Sequence, residues 1–465
     1  MINVETLLSS VSNVLYTYVL IIMLLGCGLY LSFKTKFAQV RFFFDSIKLA
    51  FEKSDSNDSV SPFQALMMAT AARVGVGNIV GVATAIIIGG PGAVLWMWII
   101  AILGSASACV ESTLAQIYKI RNEDGFTFRG GPAYYIQTMS GKKSLGILFS
   151  WFTIMCFSIG FPGLQAFNFS SSFEHYIPNY HGSLWSYIVG LGLSLVILLI
   201  ISKGVKNTSV ISSILVPINS TIYIGIALYI TFSNLNKLPS ILETIFRCAF
   251  DFKAIFGGFF SSALLIGIKR GLFSNEAGMG SAPNAAATAH VDHPAKQGIA
   301  QIFSILIDTL VCTSTAFLIF SSGININPSD EAIFVVQQAL HSQLGDFGIH
   351  FASVSVILFS FSAIIGNYCF SESNILFIFK DRKILQFFRI AFVIPIFMGT
   401  IVSSQLAWSL ADICMGLMAI MNIIFMIKGS RSVSDCLDDY SESKRLRKPF
   451  KFIASRYDIK NTLWK

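Results

Sequence analysis

Long apolar runs recur along this 465-residue chain and constrain its fold more than any other feature. Charged residues make up only 12% of the chain, whereas a soluble domain has about 25%. Ten runs are close to the roughly 20 residues that a helix needs to cross a bilayer: 14–32, 63–88, 92–118, 145–169, 184–202, 208–232, 298–321, 349–371, 384–404 and 407–427. An eleventh, divided run, 254–289, joins an apolar half to a polar half rich in small residues. The sequence therefore predicts an all-α membrane protein with eleven transmembrane helices.

The distribution of Lys and Arg gives a separate prediction of orientation. Segments 33–62 and 119–144 hold five each and the tail 428–465 holds ten, while segments 170–183 and 323–348 hold none. Because cytoplasmic loops are enriched in Lys and Arg, the N-terminus is expected outside and the C-terminus in the cytoplasm, in the plasma membrane. The basic tail is expected to be a solvated or membrane-surface arm that meets anionic lipid and not nucleic acid.

No signature of catalysis is present in the sequence. It lacks a GxxxxGK[ST] loop for ATP, an HExxH metal motif and a GxSxG nucleophile motif. The eight cysteines are scattered without a CxxC pair, and His290 and His293 flank Asp292 at a predicted helix end, which favours loop polarity over a metal site. We expect neither an enzyme nor a cofactor, and no obligate protein partner is inferred.

Two segments at the expected membrane depth are poor material for a continuous helix. They are 71–81 (AARVGVGNIVG) and 271–283 (GLFSNEAGMGSAP). In the first, Gly77 and Gly81 also fit a small-residue step that lets helices pack closely, so packing alone remains an open interpretation there. The second combines three glycines, a proline and two adjacent polar residues, which favours an interrupted helix.

The two segments correspond at a constant offset of 203 residues, which aligns Gly75 with Gly278 and Gly77 with Gly280. Five predicted helices separate them, and an odd number makes the second copy run opposite to the first. Paired interrupted helices in an inverted repeat are typical of a transporter's substrate site. The expected organisation is an N-terminal helix and linker (1–62), a first inverted repeat (63–232), an extracellular connection (233–253), a second inverted repeat (254–427) and the basic cytoplasmic tail (428–465).

Interrupted membrane helices predict a particular binding chemistry. Lipid cannot satisfy the N–H and C=O groups that an interruption frees. Half-helix N-termini present N–H groups to an anion such as a carboxylate, and freed carbonyls suit a hard cation such as Na⁺. A small zwitterionic amino acid accompanied by Na⁺ fits both, so cation-coupled symport by alternating access is expected.

Several motifs resemble those of the alanine or glycine:cation symporter family, over about residues 60–430. They are VGVGNIVGVATAI (74–86), GGPGAVLWMW (89–98), RGGPAYYI (129–136), RGLFSNEAGMGSAP (270–283) and DHPAKQG (292–298). The resemblance implies a leucine-transporter-like fold of 5+5 inverted repeats with one extra N-terminal helix. It also implies import of alanine or glycine coupled to Na⁺, or alternatively to H⁺.

The resemblance also implies roles for individual residues. The residues expected to meet substrate are Gly75, Val76, Gly77 and Asn78 from the first interruption, Gly278, Met279 and Gly280 from the second, and Gln165. A Na⁺ site is expected to join the carbonyls of Ala71 and Val74 to Phe359 and Ser362. Ala363 stands where many relatives have a second hydroxyl, which leaves Na⁺ against H⁺ open. Asn367 stands where relatives often have Trp beside the substrate, which leaves the choice of amino acid open.

Charged residues within the predicted spans need partners in the membrane. Because Glu276 is the counterpart of Arg73 at the same offset, we expect the two to pair or to share a cavity. Glu111 is expected to cap its helix or to pair with a basic loop residue. We expect Asp308 and Asp412 to be hydrogen-bonding hubs between helices, and Lys269 and Arg270 to line a cytoplasmic vestibule.

Overall fold

The computed structural model describes residues 4–52, 60–122, 127–177, 179–180, 182–202, 205–250, 262–379 and 381–464. Helices make up nearly all of this part of the chain. Its one sheet pairs two short antiparallel strands, β1 (Ile120–Arg121) and β2 (Phe128–Arg129). The prediction of an all-α architecture is confirmed.

The chain begins with a long helix that packs on the outside of the two repeats. It consists of α1 (Val4–Leu15), a π-helical turn (Tyr16–Leu20) and α2 (Ile21–Lys34). It therefore starts ten residues before the predicted span 14–32. Two short helices follow, α3 (Ala38–Arg41) and α4 (Phe43–Ala50).

The first repeat opens with a helix interrupted in its middle. The helices are α5 (Pro62–Arg73), a 3₁₀ turn (Val76–Asn78), α6 (Val80–Gly89), α7 (Ala93–Ile117), α8 (Pro132–Ser140), α9 (Lys143–Met155), a π turn (Cys156–Gly160), α10 (Phe161–Ser171), α11 (Leu184–Ser202) and α12 (Val205–Ser233). A capping box at Ser61 and Gln64, with Pro62 in the first turn, fixes where α5 starts.

The second repeat has the same kind of opening. After a 3₁₀ turn (Leu235–Lys237) come α13 (Leu238–Ala249), α14 (Ala263–Asn275), α15 (Ala282–Ala286), α16 (Pro294–Ser322), α17 (Ala332–Leu344), α18 (Asp346–Ile378), α19 (Arg382–Gly399) and α20 (Ser404–Arg445). A last 3₁₀ turn spans Ala454–Tyr457. The first helix of each repeat thus stops within one residue of the corresponding position, at Arg73 and at Asn275, and both interruptions lie where the sequence predicted them.

Seven helical segments of the described residues are long and apolar enough to cross a membrane. Two bent helix pairs add to these, α5 with α6 (53° bend) and Pro217–Ser233 with Leu235–Ala249 (74° bend). The chain is therefore a multi-pass membrane protein. The count of eleven spans, the orientation and the domain boundaries stay predictions.

The C-terminal tail, expected to be a solvated or membrane-surface arm, packs against the protein in part of its described length, and its contact with lipid stays a prediction. The last helix continues to Arg445, and the chain then folds back against the protein, with Phe452 only 2% exposed. Near its end, Trp464 Nε1 donates to Gln116 O at 2.8 Å, and Thr462 Oγ1 donates to Ile117 O at 2.5 Å. The tail has large aromatic residues beside its basic ones, and these side chains anchor it to the end of α7.

Candidate substrate and ion site

The first interruption begins directly after Arg73. In a continuous helix the Gly75 N–H would donate to the Ala71 carbonyl, but here it donates to Asn78 Oδ1 at 2.8 Å. The Asn78 N–H bonds to Gly75 O at 3.2 Å and not to Val74 O. The asparagine side chain therefore stabilises the non-helical turn.

This turn leaves main-chain groups of both kinds without helical partners. Among the described residues, the N–H groups of Val76 and Gly77 donate no main-chain hydrogen bond. The carbonyls of residues 71–74 consequently lose the N–H partners of a continuous helix. Free donors in the 3₁₀ turn before α6 and free acceptors at the end of α5 lie within one short segment, as binding of a carboxylate and a cation requires.

The second interruption uses left-handed backbone. Glu276, Gly278 and Gly280 have φ angles of 51°, 85° and 89°. The Asn275 side chain accepts the Ala277 N–H at 2.9 Å, which ends α14. Glycine is the residue that takes up such a conformation at least cost, and this explains two of the three positions.

A side chain of the protein accepts a main-chain N–H group of the second interruption. Glu111 Oε2 accepts the Gly280 N–H at 3.1 Å and the Asn422 side-chain amide at 2.8 Å. The same amide donates to Gly278 O at 2.9 Å, while the Tyr135 hydroxyl donates to Asn422 Oδ1. The expectation that Glu111 caps its own helix or pairs with a basic loop residue is therefore wrong.

Arg73 has partners other than Glu276 in the described structure, and a cavity shared by Arg73 and Glu276 stays a prediction. Arg73 Nη1 donates to Gln301 Oε1 at 2.6 Å and to Ser304 Oγ at 3.1 Å, and Nη2 lies 3.9 Å from Glu111 Oε1. Glu276 lies near enough to act on the guanidinium electrostatically, but Glu111 is the carboxylate in ion-pair range among the described residues. Glu276 Oε2 is buried without a hydrogen-bond partner there.

The two interruptions are joined by Asp308 on α16. Its Oδ1 accepts from Asn78 Nδ2 at 2.6 Å and from Ser274 Oγ at 2.7 Å. The expected role of Asp308 as a hub between helices is confirmed. A Cβ added to Gly77 would lie 3.0 Å from the Phe273 ring, so the first interruption touches the end of α14 directly.

The elements of the expected Na⁺ site also lie together. Ala363, next to Ser362 on α18, lies 3.6 Å from where a Cβ on Gly75 would stand. Ser362 is buried and donates to Phe359 O at 3.0 Å, which leaves its hydroxyl oxygen able to accept or coordinate. With the freed carbonyls of Ala71 and Val74, this donor set has the oxygen atoms that a hard cation prefers.

Two amide side chains of the predicted substrate site are buried and have polar atoms without a hydrogen-bond partner among the described residues. Both polar atoms of Asn367 lack a hydrogen-bond partner among the described residues, and so does Gln165 Oε1. Their side chains are only 1% and 3% exposed. Met279, also predicted to meet substrate, is fully buried. Since an unpaired buried amide is costly, a polar ligand at Asn367 and Gln165 would stabilise both side chains.

A cavity of about 650 Å³ opens beside the end of α6 and the start of α20, the side predicted to be extracellular. Lys269, Arg270 and Asp412 line it, and Asp412 pairs with Lys269 at 2.8 Å and with Arg270 at 3.3 Å. The two basic residues, expected to line a cytoplasmic vestibule, therefore line the cavity on the side that the charge distribution predicts to be extracellular. The hub role of Asp412 is confirmed.

A layer of aromatic rings separates this cavity from the interruptions. Phe273 lies 4.9 Å, centroid to centroid, from both Phe161 and Trp408. The guanidinium carbon of Arg270 lies 3.9 Å from the ring centroid of Trp408. The site is thus covered on this side by groups that would have to move before a solute could pass.

Comparison with known proteins identifies the family. The family model described as the sodium:alanine symporter family matches residues 1–453. The chain is 44% identical over 447 residues to the probable sodium/glutamine symporter GlnT of Bacillus subtilis strain 168, covering 96% of this chain and 92% of that protein. It is 33% identical over 433 residues to the sodium/alanine symporter AgcS of Methanococcus maripaludis, with 91% and 94% covered.

The fold is found in solved structures as well. The crystal structure of MhsT in complex with L-phenylalanine matches with a TM-score of 0.61, at 16% identity, over 83% of this chain and 93% of that chain. This confirms the predicted leucine-transporter-like fold. Fold and sequence agree on a transporter and not an enzyme: the chain belongs to the sodium:alanine symporter family.

Proposed function

We propose that the protein imports a small neutral amino acid, alanine or glycine, across the plasma membrane together with Na⁺. The observation that carries this proposal is the first interruption, where free N–H groups and free carbonyls lie within residues 71–77. An amino acid and a cation satisfy these groups together, and neither ligand alone would do so.

The substrate carboxylate is assigned to the N–H groups of Val76 and Gly77, in the 3₁₀ turn that leads into the positive end of α6. The second interruption is a poorer place for it, because Glu111 already accepts from Gly280. In this proposal Gly278 to Gly280 and Gln165 border the substrate, and Asn78 holds the turn that presents the amides.

Na⁺ is assigned to the carbonyls of Ala71 and Val74, with Phe359 and Ser362 from α18. Binding there would link α5 to α18 and order the first interruption. The amino acid would then bind an already ordered segment, which couples the two ligands thermodynamically. The family's sodium coupling supports this assignment.

Glutamine is a second candidate substrate, favoured by Asn367. The amide group of glutamine could form hydrogen bonds with the two unpaired atoms of Asn367 and with Gln165 Oε1. The methyl side chain of alanine cannot form such bonds. One relative of this chain carries the name sodium/glutamine symporter. Alanine and glutamine are therefore tested side by side.

Uptake of labelled alanine, glycine and glutamine into proteoliposomes tests the proposal, with Na⁺ and pH gradients imposed separately. We expect an inward Na⁺ gradient to drive saturable accumulation of at least one of the three, and a pH gradient alone to drive none. Accumulation driven by pH without Na⁺ would instead support the proton-coupled alternative, with Asp308 or Glu276 as the titrating group. Absence of accumulation under both gradients would refute symport of these amino acids.

A further inference from the structure

A second cavity, of about 160 Å³, lies between the two interrupted helices and α18. Met68 of α5, Asn284 of α15 and Glu372 of α18 contribute to its walls. Arg129 of β2 also lines the cavity. It belongs to segment 119–144, which is predicted to be cytoplasmic. The cavity therefore lies between the proposed substrate site and the predicted cytoplasm, on the opposite side from the larger cavity.

The cavity is attached directly to the second interruption. Asn284 Nδ2 donates to Gly280 O at 3.0 Å, so one wall residue is bonded to the interruption itself. Asn374 of α18 in turn donates to Asn284 Oδ1 at 3.2 Å. An amino acid that leaves the interruptions towards the predicted cytoplasm would reach this cavity next.

The walls carry one positive and one negative group that lack full pairing. Arg129 Nε and Glu372 Oε2 are buried, and neither has a hydrogen-bond partner among the described residues. The other carboxylate oxygen of Glu372 lies 3.8 Å from Arg389, which leaves Oε2 available to a ligand. A buried polar atom without a hydrogen-bond partner is costly, so a ligand that bonds to both Arg129 Nε and Glu372 Oε2 stabilises this arrangement.

A ligand with one charge would satisfy only one of the two groups. A molecule with a carboxylate and an ammonium group satisfies both, and the cavity has room for only a small one. The polar side chains of Asn122 and Thr288 add further hydrogen-bonding groups to the walls. The charges of the walls, the volume of the cavity and its position next to the second interruption all fit the zwitterionic form of an amino acid.

We propose that this cavity is a second, transient substrate site, in which Arg129 binds the carboxylate and Glu372 the ammonium group of the amino acid before its release. The proposal rests on the proposed function and adds a site outside the two interruptions. A site near the predicted cytoplasmic face should change the half-saturating substrate concentration for transport that starts from that face. It should have little effect on transport that starts from the opposite face, so the two directions are measured separately.

The test compares right-side-out with inside-out membrane vesicles from cells that express the full chain. The initial rate of Na⁺-driven uptake is measured for whichever of labelled alanine and glutamine the wild type accumulates faster. Arg129→Gln and Glu372→Gln are each expected to raise the half-saturating concentration roughly tenfold or more in inside-out vesicles. The same variants should stay within about twofold of wild type in right-side-out vesicles, where the central site is reached first.

Two controls separate binding from general damage. Arg121→Gln removes an exposed charge from the same hairpin outside the cavity walls, and it should change neither value. Arg389→Gln removes the other partner of Glu372 without altering the cavity walls, so it should not reproduce the sided effect.

Unchanged half-saturation in inside-out vesicles, or an equal rise on both faces, would overturn the second site. Reproduction of the Glu372→Gln effect by Arg389→Gln would overturn the assigned role of Glu372. Failure of the wild type to accumulate amino acid in either vesicle preparation would refute the proposed function itself, a result distinct from both.

Discussion

Glu111 on α7 accepts the main-chain N–H of Gly280 at 3.1 Å, across 169 residues of sequence. A carboxylate of the protein thereby holds the second interruption open. Its other oxygen lies 3.9 Å from Arg73, at the edge of the first interruption. One buried ion pair, with both side chains fully buried, thus contacts the two segments on which the proposed transport depends.

The first prediction concerns this ion pair. Glu111→Gln keeps the side-chain shape but leaves Arg73 buried without its carboxylate, and breaking such a pair costs about 3–5 kcal/mol. We expect a lower melting temperature in detergent and at least tenfold slower uptake.

In a double-mutant cycle, Arg73→Gln with Glu111→Gln should lose less stability than the sum of the single variants. The exposed pair of Lys36 and Asp438 serves as control and should be nearly additive. Additive losses at Arg73 and Glu111 would contradict the coupling.

The second prediction concerns the backbone of the second interruption. Gly278→Leu places a side chain on a residue with φ of 85°, where a Cβ would already contact Met426 at 3.4 Å and Ser107 at 3.6 Å. We expect uptake to be abolished, because a branched side chain disfavours this backbone and fills the space beside it. Gly192→Leu is the matched control, since Gly192 is exposed and no atom lies within 4 Å of its would-be Cβ. Equal uptake by the two variants would show that the interruption is dispensable.

The third prediction concerns the choice of amino acid. Asn367→Trp places a larger, mostly apolar side chain at this buried position and removes the two unpaired polar atoms of Asn367. We expect unlabelled glutamine to compete much less well with labelled alanine in this variant, while alanine still competes with itself. Asn367→Asp should keep the volume and retain competition by glutamine better than the Trp variant does. If glutamine competes as well in Asn367→Trp as in the wild type, Asn367 does not determine which amino acid is transported.

The fourth prediction concerns the C-terminal tail. Phe452→Ala removes a side chain that is 2% exposed, and such a truncation costs about 3–5 kcal/mol in a packed core. Leu463→Ala removes a side chain that is 42% exposed and serves as control. We expect a clear fall in melting temperature for the first variant and little change for the second. Equal melting temperatures would show that the tail is a free arm after all.

The sequence predicted both interruptions well because their causes are local. Gly278 permits the left-handed backbone of the second interruption, and Asn78 and Asn275 supply the side-chain oxygens that stabilise each interruption. The partner of Arg73 was not predictable in this way. The offset between the repeats suggested Glu276, but α16 packs against α5 and brings Gln301 to the guanidinium, and Glu111 of α7 lies 3.9 Å from it.

A signal for Glu111 does exist in the sequence. It is the one acidic residue in the apolar run 92–118, and a membrane-buried acid and a membrane-buried base both require partners. Matching these two unpaired charges would have suggested the pair. The tail is a different case, since the positions of Trp464 and Phe452 depend on a long-range fit to the end of α7 that no local pattern encodes.

The most direct test of the central claim is equilibrium binding of labelled substrate to purified protein in detergent, with Na⁺ varied against choline. The account predicts that Na⁺ tightens amino-acid binding by a factor of roughly 5–150, that the amino acid tightens Na⁺ binding by the same factor, and that Gly278→Leu removes both effects. Amino-acid binding of equal strength with and without Na⁺ would contradict the claim that the first interruption holds the two ligands together.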